Sequence, residues 1–174
     1  MSFYHIGQRI EAPGLTIVLR RQSYMPDRIV AQPRLPESPV EIGDNVDMDS
    51  VATDDALGRI VFNIARAVAP DLLLPRAREL AAALDLNVAE WRISTGRRIL
   101  GKCSSRGVIS LSGVNVFLSQ ELRDYIVWHE LAHLTEMNHG PRFHALCNAY
   151  CGGNERVYRD KLRMVRWPLP PRKR

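Results

Sequence analysis

Residues 128–133 read WHELAH, and this short segment decides how the whole sequence is interpreted. It contains the pattern HExxH, and the residues around it are apolar on nearly all sides, which predicts a buried helix. His129 and His133 are four positions apart, so both imidazoles lie on one helix face and can reach one metal ion. Glu130 is offset by about 100° around the helix. Its carboxylate can therefore reach a water molecule bound to the metal and act as a general base.

A third metal ligand is needed, because a catalytic zinc usually takes three protein ligands and leaves one position for water. His139 is the predicted third ligand. It follows the predicted end of the helix, and Gly140 beside it permits the chain to turn back. Two alternatives remain open: Glu136 faces roughly the same side as His133, and His144 lies in the next predicted helix. The predicted site is one Zn²⁺ per chain on His129, His133 and His139, with Glu130 as the catalytic residue.

The next helix carries a second group of metal-binding residue types. His144, Cys147 and Cys151 form one stripe of that helix, and together with Cys103 they could hold a structural metal ion. The more usual interpretation is a core stripe, since a free cysteine behaves as a small buried hydrophobic residue. The first metal site therefore remains the main prediction.

Upstream, the sequence predicts a β-hairpin followed by an acidic loop. Residues 15–21 and 28–32 are apolar and β-branched and are separated by a turn, which is typical of two paired strands. Residues 33–50 are rich in proline and acid and predict a loop with one short strand near Val40. The charge and proline content motivate the hypothesis that the acidic loop, residues 35–55, covers the site as a lid.

The middle of the chain predicts helices and then strands. A helix capped by Thr53 or Asp54 is expected to end at Pro70, and a second helix is expected to begin at Pro75. Two strands should then form an antiparallel meander, after which Ser119 caps the helix that carries HExxH. The expected ranges of these later elements are 88–94 and 107–112 for the strands, and about 119–137, 141–151 and 155–165 for the helices.

Length and composition fit one compact unit. The chain has 174 residues, of which 45% are hydrophobic and 25% charged, and these values exclude a collagenous or wholly disordered protein. We assign residues 1–50 to the N-terminal hairpin and acidic loop and residues 51–174 to a catalytic domain within the same unit. No apolar run approaches a membrane span, and no signal peptide is expected at the start. Three cysteines, an odd number, favour a reducing compartment, so the expected location is cytoplasmic.

The C-terminus is strongly basic. Residues 155–174 carry arginines and lysines throughout, against only Glu155 and Asp160. Such a segment can bind nucleic acid or an acidic partner. Few aromatic residues accompany the basic ones, however, which favours an ordinary solvated helix face and a frayed end.

The run from Gly101 to Phe143 resembles the YgjP-like metallopeptidases. Their pattern combines a turn containing glycine and cysteine, a G-x-I-x-L strand, a helix with HELxHL, and then N-H-[SG]-x-x-F. The H-G-P-x-F ending is also similar to the SprT-like proteases. The corresponding parts of this chain are Gly101-Lys102-Cys103, Gly107 to Leu111, His129 to Leu134, and Asn138 to Phe143.

The resemblance implies a function and a fold. It implies that His129, His133 and His139 bind zinc and that Glu130 is the catalytic acid/base. It also implies an α+β, compact zincin-like domain with an N-terminal β-hairpin, a small antiparallel sheet and an HExxH active-site helix. In zincins a strand beside that helix accepts an extended peptide, and residues 108–112 are the expected strand here.

The predicted function is therefore a zinc-dependent metallopeptidase acting on a peptide or protein substrate. Three alternatives remain: a SprT-like nucleic-acid-associated protease recruited by the basic C-terminus, a zinc hydrolase of a non-peptide amide, and a non-catalytic metal-binding module. Arg98, Arg142 and Tyr150 are the available partners for the oxyanion, with none favoured over the others. No membrane partner is expected, and the sequence leaves the oligomeric state open.

Overall fold

Two small sheets flank one long helix, and three shorter helices complete the chain, in a computed structural model that describes residues 2–171. The predicted α+β fold class is confirmed. The elements in chain order are β1 (Arg9–Ala12), β2 (Leu15–Gln22), β3 (Ile29–Ala31), β4 (Glu37–Gly43), α1 (Val51–Ala83), β5 (Glu90–Ser94), β6 (Gly101–Cys103), β7 (Val108–Ser112), a 3₁₀ turn (Gly113–Phe117), α2 (Gln120–Ala132), α3 (Pro141–Tyr150) and α4 (Glu155–Arg163).

The N-terminal sheet has the strand order β1-β2-β4-β3, so the predicted pairing of β2 with β3 is wrong. The hairpin is instead formed by β1 and β2, which pair antiparallel around the Pro13-Gly14 turn. β4 lies between β2 and β3 and runs parallel to β2. The long connection that parallel pairing requires is supplied by the turn and strand that precede β4.

β4 lies within the segment that was predicted to be an acidic loop with one short strand near Val40, and it confirms that strand at a greater length. Its Val40 and Ile42 are fully buried. Its two acids lie close to arginines of other strands of the sheet: Glu37 lies 3.4 Å from Arg9 of β1, and Glu41 lies 3.6 Å from Arg20 of β2. The acids within β4 therefore take part in charge pairing across the sheet. The lid hypothesis is wrong for residues 37–43, since they form an inner strand of a sheet.

α1 is one continuous helix, where two were predicted. Pro70 and Pro75 both lie inside it and both are exposed. Each proline leaves one carbonyl of the preceding turn without its intrahelical donor, and at an exposed position water can take that place. The opposite side of the helix is buried along most of its length, and this packing outweighs the cost of about 3 kcal/mol per proline.

The second sheet has the order β5-β7-β6 and is mixed rather than antiparallel. β5 runs parallel to β7, and β6 runs antiparallel to it. β7 is thus the central strand and β6 is an edge strand. The 3₁₀ turn after β7 packs directly on α1, since a Cβ on Gly113 would lie 2.7 Å from the Cα of Arg66.

α2 begins after Ser119, as predicted, and it ends at Ala132, five residues before the predicted end at Met137. It contacts β6, β7 and all three other helices. One cluster of buried apolar residues takes members from both sheets and from the helices α1, α2 and α3. α4 ends at Arg163, and the last three residues of the predicted basic tail, 172–174, lie outside the described part of the chain. None of the described helices has both the length and the apolar character needed to span a membrane.

Candidate metal centre and catalytic glutamate

Three histidine side chains converge on one point. The Nε2 atom of His139 lies 3.0 Å from Nε2 of His129 and 3.1 Å from Nε2 of His133. Zn–N bonds of 2.0–2.1 Å in a tetrahedral site place two nitrogen ligands about 3.3 Å apart. The donor set and its spacing therefore fit a zinc ion. These are also the only three residues in the described part of the chain that form such a cluster of metal-ligand types.

The end of α2 explains how the third histidine reaches the first two. His133 is the C-cap residue of α2, and the chain then turns so that the imidazole of His139 approaches the other two. Gly140 has φ −86° and open space around its α-carbon, so this turn does not require a glycine, contrary to the expectation from sequence. α3 begins at Pro141, in agreement with the prediction.

The fully buried ring of Phe143 packs against all three histidines of the cluster. The ring centroid of Phe143 lies 4.8 Å from that of His129, 4.4 Å from His133 and 4.7 Å from His139. Phe143 therefore restricts the orientation of all three imidazoles. In the sequence, Phe143 stands out only as part of the N-H-[SG]-x-x-F motif. Its position four residues after His139, about one helical turn, is the feature of the sequence that indicates its contact with the histidines.

The tautomer of His133 is set by a backbone contact. Its Nδ1 lies 3.0 Å from the carbonyl oxygen of Glu136, and a donated hydrogen bond there leaves Nε2 unprotonated and directed at the cluster. Glu136 thus contributes its backbone oxygen, and its carboxylate is not part of the cluster. The alternative in which Glu136 is the third ligand receives no support from this geometry.

His144 belongs to a different contact. Its Nδ1 lies 2.7 Å from Oε1 of the buried Glu155, on the first turn of α4. Cys147 and Cys151 are buried free thiols, and so is Cys103. None of these four residues forms a metal-type cluster. The hypothetical second metal site is therefore wrong, and the core interpretation of the stripe is correct.

Glu130 is buried on α2 beside the histidines, with 4% of its surface exposed. Burial raises the pKa of its carboxyl to about 7, while a hydrogen bond from the backbone N–H of Cys103 acts in the opposite direction. Gly101 packs against the same carboxylate: a Cβ there would lie 2.4 Å from Oε1. Within residues 2–171, Glu130 has no ion pair. Its charge is therefore poorly compensated, which is typical of a proton-transferring group.

Two of the histidines are held neutral by their surroundings. Burial, together with the neighbouring His133 and His139, lowers the pKa of His129 to about 4. Burial likewise lowers the pKa of His133. Neutral imidazole is the form that binds a metal, so His129 and His133 are in their ligating form at neutral pH.

The cluster opens into a cleft of about 240 Å³ that is bordered by β6. The lining residues are Gly101, Lys102, Cys103, His129, Glu130, His133, Met137 and His139. Arg98, Arg142 and Tyr150, the residues considered for the oxyanion, are not among them. The strand at the cleft is β6 and not β7, since β7 has a neighbour on each side. The prediction that residues 108–112 accept the substrate is therefore wrong.

The fold and the site define a class: an α+β protein with HExxH on a buried helix and a third histidine after it has the arrangement of the metal-dependent HExxH hydrolases. The model of the YgjP-like metallopeptidase domain matches residues 22–164. The chain belongs to the YgjP-like family and is a metallopeptidase. The resemblance seen in the sequence is confirmed.

Two other comparisons concern solved structures and curated protein sequences. A solved structure described as the metallopeptidase zymogen of Pyrococcus abyssi abylysin is similar over 53% of this chain and 92% of that chain, with 22% sequence identity and a TM-score of 0.47. A comparison with curated protein sequences found no matching relative.

Proposed function

We propose that the chain is a zinc-dependent peptidase in which His129, His133 and His139 hold the metal and Glu130 is the general base. The observation that carries this proposal is the convergence of three Nε2 atoms beside a buried carboxylate that has no cationic partner among residues 2–171. Imidazole nitrogens in a three-ligand set are typical of a catalytic zinc that keeps one position open.

A zinc ion bound there would lower the pKa of a coordinated water and polarise the carbonyl of the peptide bond. Glu130 accepts a proton from the attacking water on one carboxylate oxygen and later delivers it to the nitrogen of the departing amine. The hydrogen bond from the Cys103 N–H orients this carboxylate, and Gly101 provides the space in which it lies.

The peptide would bind along the free edge of β6. In the β6–β7 ladder, Ser112 donates its backbone N–H to Leu100 and Ser104 donates to Val108. Because hydrogen-bonded positions alternate along an antiparallel pair, the backbone groups of Gly101 and Cys103 point away from β7. The Cys103 N–H on this edge is taken by Glu130. The backbone groups of Gly101 and the carbonyl of Cys103 remain at the edge that borders the cleft, where an extended peptide can add as a further strand.

The first test is metal content by elemental mass spectrometry. Wild-type protein is expected to carry about one zinc per chain, and His139→Ala is expected to lose most of it, since two histidines bind zinc far more weakly than three. His144→Ala is the matched control: it also removes one histidine near the site, but this residue pairs with Glu155, and zinc content should remain unchanged.

Zinc retained by His139→Ala would contradict the proposed ligand set. Loss of zinc in both variants would mean that unfolding rather than ligand removal causes the loss, and circular dichroism of each variant separates these cases. Wild-type protein that binds no zinc even after reconstitution would overturn the proposal.

The structure gives no reason to prefer a nucleic-acid-directed protease. On α4, Lys161 lies 2.8 Å from Glu121 of α2, and Arg163 lies 3.1 Å from Asp160. These ion pairs reduce the positive charge available to phosphates. Recruitment to nucleic acid and a cytoplasmic location stay predictions. The alternative substrate class, a non-peptide amide, is disfavoured by membership in a peptidase family.

A further inference from the structure

A second cavity lies beside the metal cleft, on the other side of β6. Its volume is about 330 Å³, and it is formed by the end of β5, the loop 95–99, β6 and Ser110 of β7. Gly101 and Lys102 line both this cavity and the metal cleft, so the two are adjacent at β6. This size is sufficient for a side chain of a bound peptide.

The wall of this cavity is positively charged. It contains Arg97, Arg98 and Lys102, and no acidic side chain lines it. Arg97 donates a hydrogen bond from its guanidinium to the carbonyl of Pro170 at 3.4 Å. Its guanidinium therefore points toward the C-terminal segment. Arg98 and Lys102 are exposed, and within residues 2–171 neither forms an ion pair. Two cations without acidic partners at the wall of one cavity create a positive potential there.

The register of β6 sets which substrate side chain enters this cavity. A Cβ on Gly101 would point at Glu130, so Gly101 faces α2, and Lys102 must face the opposite side of the sheet. Residues paired across two strands have their side chains on the same face. The substrate residue opposite Lys102 therefore places its side chain toward the basic cavity. Gly101 packs on Glu130, so the strand position opposite Gly101 is close to the cleaved bond. The substrate residue opposite Lys102 therefore lies next to the cleaved bond or one position away.

We propose that Arg98 and Lys102 form a specificity subsite for an acidic substrate side chain, aspartate or glutamate, beside the cleaved peptide bond. This inference rests on the proposed function of the same site. The selected side chain would form a charge-assisted contact with the two cations, whereas a neutral amide of the same shape would gain only weak hydrogen bonds. Because both cations are exposed, the preference should weaken as salt is added.

The test uses zinc-loaded protein and a synthetic library of short random peptides, with cleavage positions read by mass spectrometry. Wild type is expected to enrich Asp and Glu at one fixed position beside the cut. In peptides that differ only by Glu or Gln there, kcat/KM should favour Glu by about tenfold. The variant with both Arg98→Glu and Lys102→Glu should reverse the preference toward Lys and Arg. Arg106→Glu, in the turn between β6 and β7 and outside both cavities, is the matched control and should leave the preference unchanged.

Cleavage without acidic enrichment, or enrichment that survives the double charge reversal, would overturn the subsite while leaving the peptidase function intact. If zinc-loaded wild type cleaves no peptide in the library, the proposed function fails. In that case the subsite is tested by measuring which peptides of the same library bind to immobilised Glu130→Gln protein. Enrichment of acidic peptides that becomes enrichment of basic peptides when Arg98→Glu and Lys102→Glu are added supports the subsite. Binding without acidic enrichment overturns it.

Discussion

The helix α2 carries two buried carboxylates, Asp124 and Glu130, that differ in what surrounds them. Asp124 accepts hydrogen bonds from Arg76 at 2.9 and 3.2 Å and from Gln120 at 2.7 Å. Glu130 accepts one from the backbone of Cys103 and forms no ion pair within the described part of the chain. Both residues are almost fully buried, so burial alone does not separate structure from function. The set of partners does.

Asp124 and Glu130 also differ in how their charged forms affect the stability of the fold. A buried carboxylate with an arginine partner stabilises the fold in its charged form, because separating the pair leaves an uncompensated charge. A buried carboxylate without such a partner resists ionisation, and the fold tolerates it at a cost. α2 therefore joins α1 through one acid and presents the other to the cleft. The predictions below alter each acid or its immediate surroundings.

Replacing Glu130 by Gln should have the largest effect on activity. The amide keeps the shape of the side chain but can no longer accept a proton, so kcat should fall by about a thousandfold. Thermal stability should be equal to that of the wild type or slightly higher, since a poorly compensated carboxylate is removed. Peptide cleavage and a thermal denaturation curve measure both quantities. A variant that keeps a tenth of wild-type activity would contradict the role of Glu130.

A methyl group at position 101 should have the next largest effect. Gly101→Ala places its Cβ 2.4 Å from Oε1 of Glu130, and the carboxylate must move to accommodate it. A displacement of this kind costs about 10²-fold in rate. Gly96→Ala is the matched control, because no heavy atom lies within 4 Å of its added Cβ. Equal kcat values for the two variants would show that the position of Glu130 is not critical.

Asp124→Asn should reduce stability and leave the chemistry intact. The change removes the charged partner of Arg76, and the free energy of unfolding should fall by about 1–3 kcal/mol. Asp160→Asn is the control: it breaks an exposed ion pair with Arg163 and should cost less than about 0.5 kcal/mol. Urea denaturation and kcat measure the two effects. A hundredfold loss of kcat in folded Asp124→Asn would mean that the two acids are not separate in function.

The smallest effect is expected for the thiol of Cys103. Glu130 is contacted by the backbone N–H of this residue and not by its sulfur. Cys103→Ala keeps that N–H, so kcat/KM should stay within a few-fold of wild type, with a stability cost of about 1 kcal/mol from the lost packing. Glu130→Ala is the contrasting variant and should be inactive. Strong inactivation by Cys103→Ala would place the thiol in the reaction.

The arrangement of the site follows largely from local sequence. His129, Glu130 and His133 are placed by the helical repeat alone, and His139 follows a few residues later, so the pattern predicts their proximity. Glu136 was the main competitor, and its backbone contact to His133 depends on how the chain leaves α2. Sequence patterns do not report that geometry.

The errors concern contacts between distant segments. Local patterns identified the strands of residues 15–21 and 107–112 but not their neighbours, because pairing partners are chosen by the whole sheet. The short strand predicted near Val40 is β4, but its full length and its place between β2 and β3 did not follow from the local sequence. Pro70 predicted a helix end, and the packing of α1 against the rest of the core overrode that local preference. The choice of β7 as the substrate strand failed for the same reason, since edge status is a property of the sheet.

The proximity of the three histidines along the chain also affects the unfolded state. All three lie between residues 129 and 139, so closing a loop around a metal costs little entropy even without the fold. The unfolded chain should therefore retain measurable affinity for zinc. A ligand that binds both states stabilises the folded one only by the difference in affinity. Zinc should thus raise the melting temperature by less than its affinity for the native protein implies.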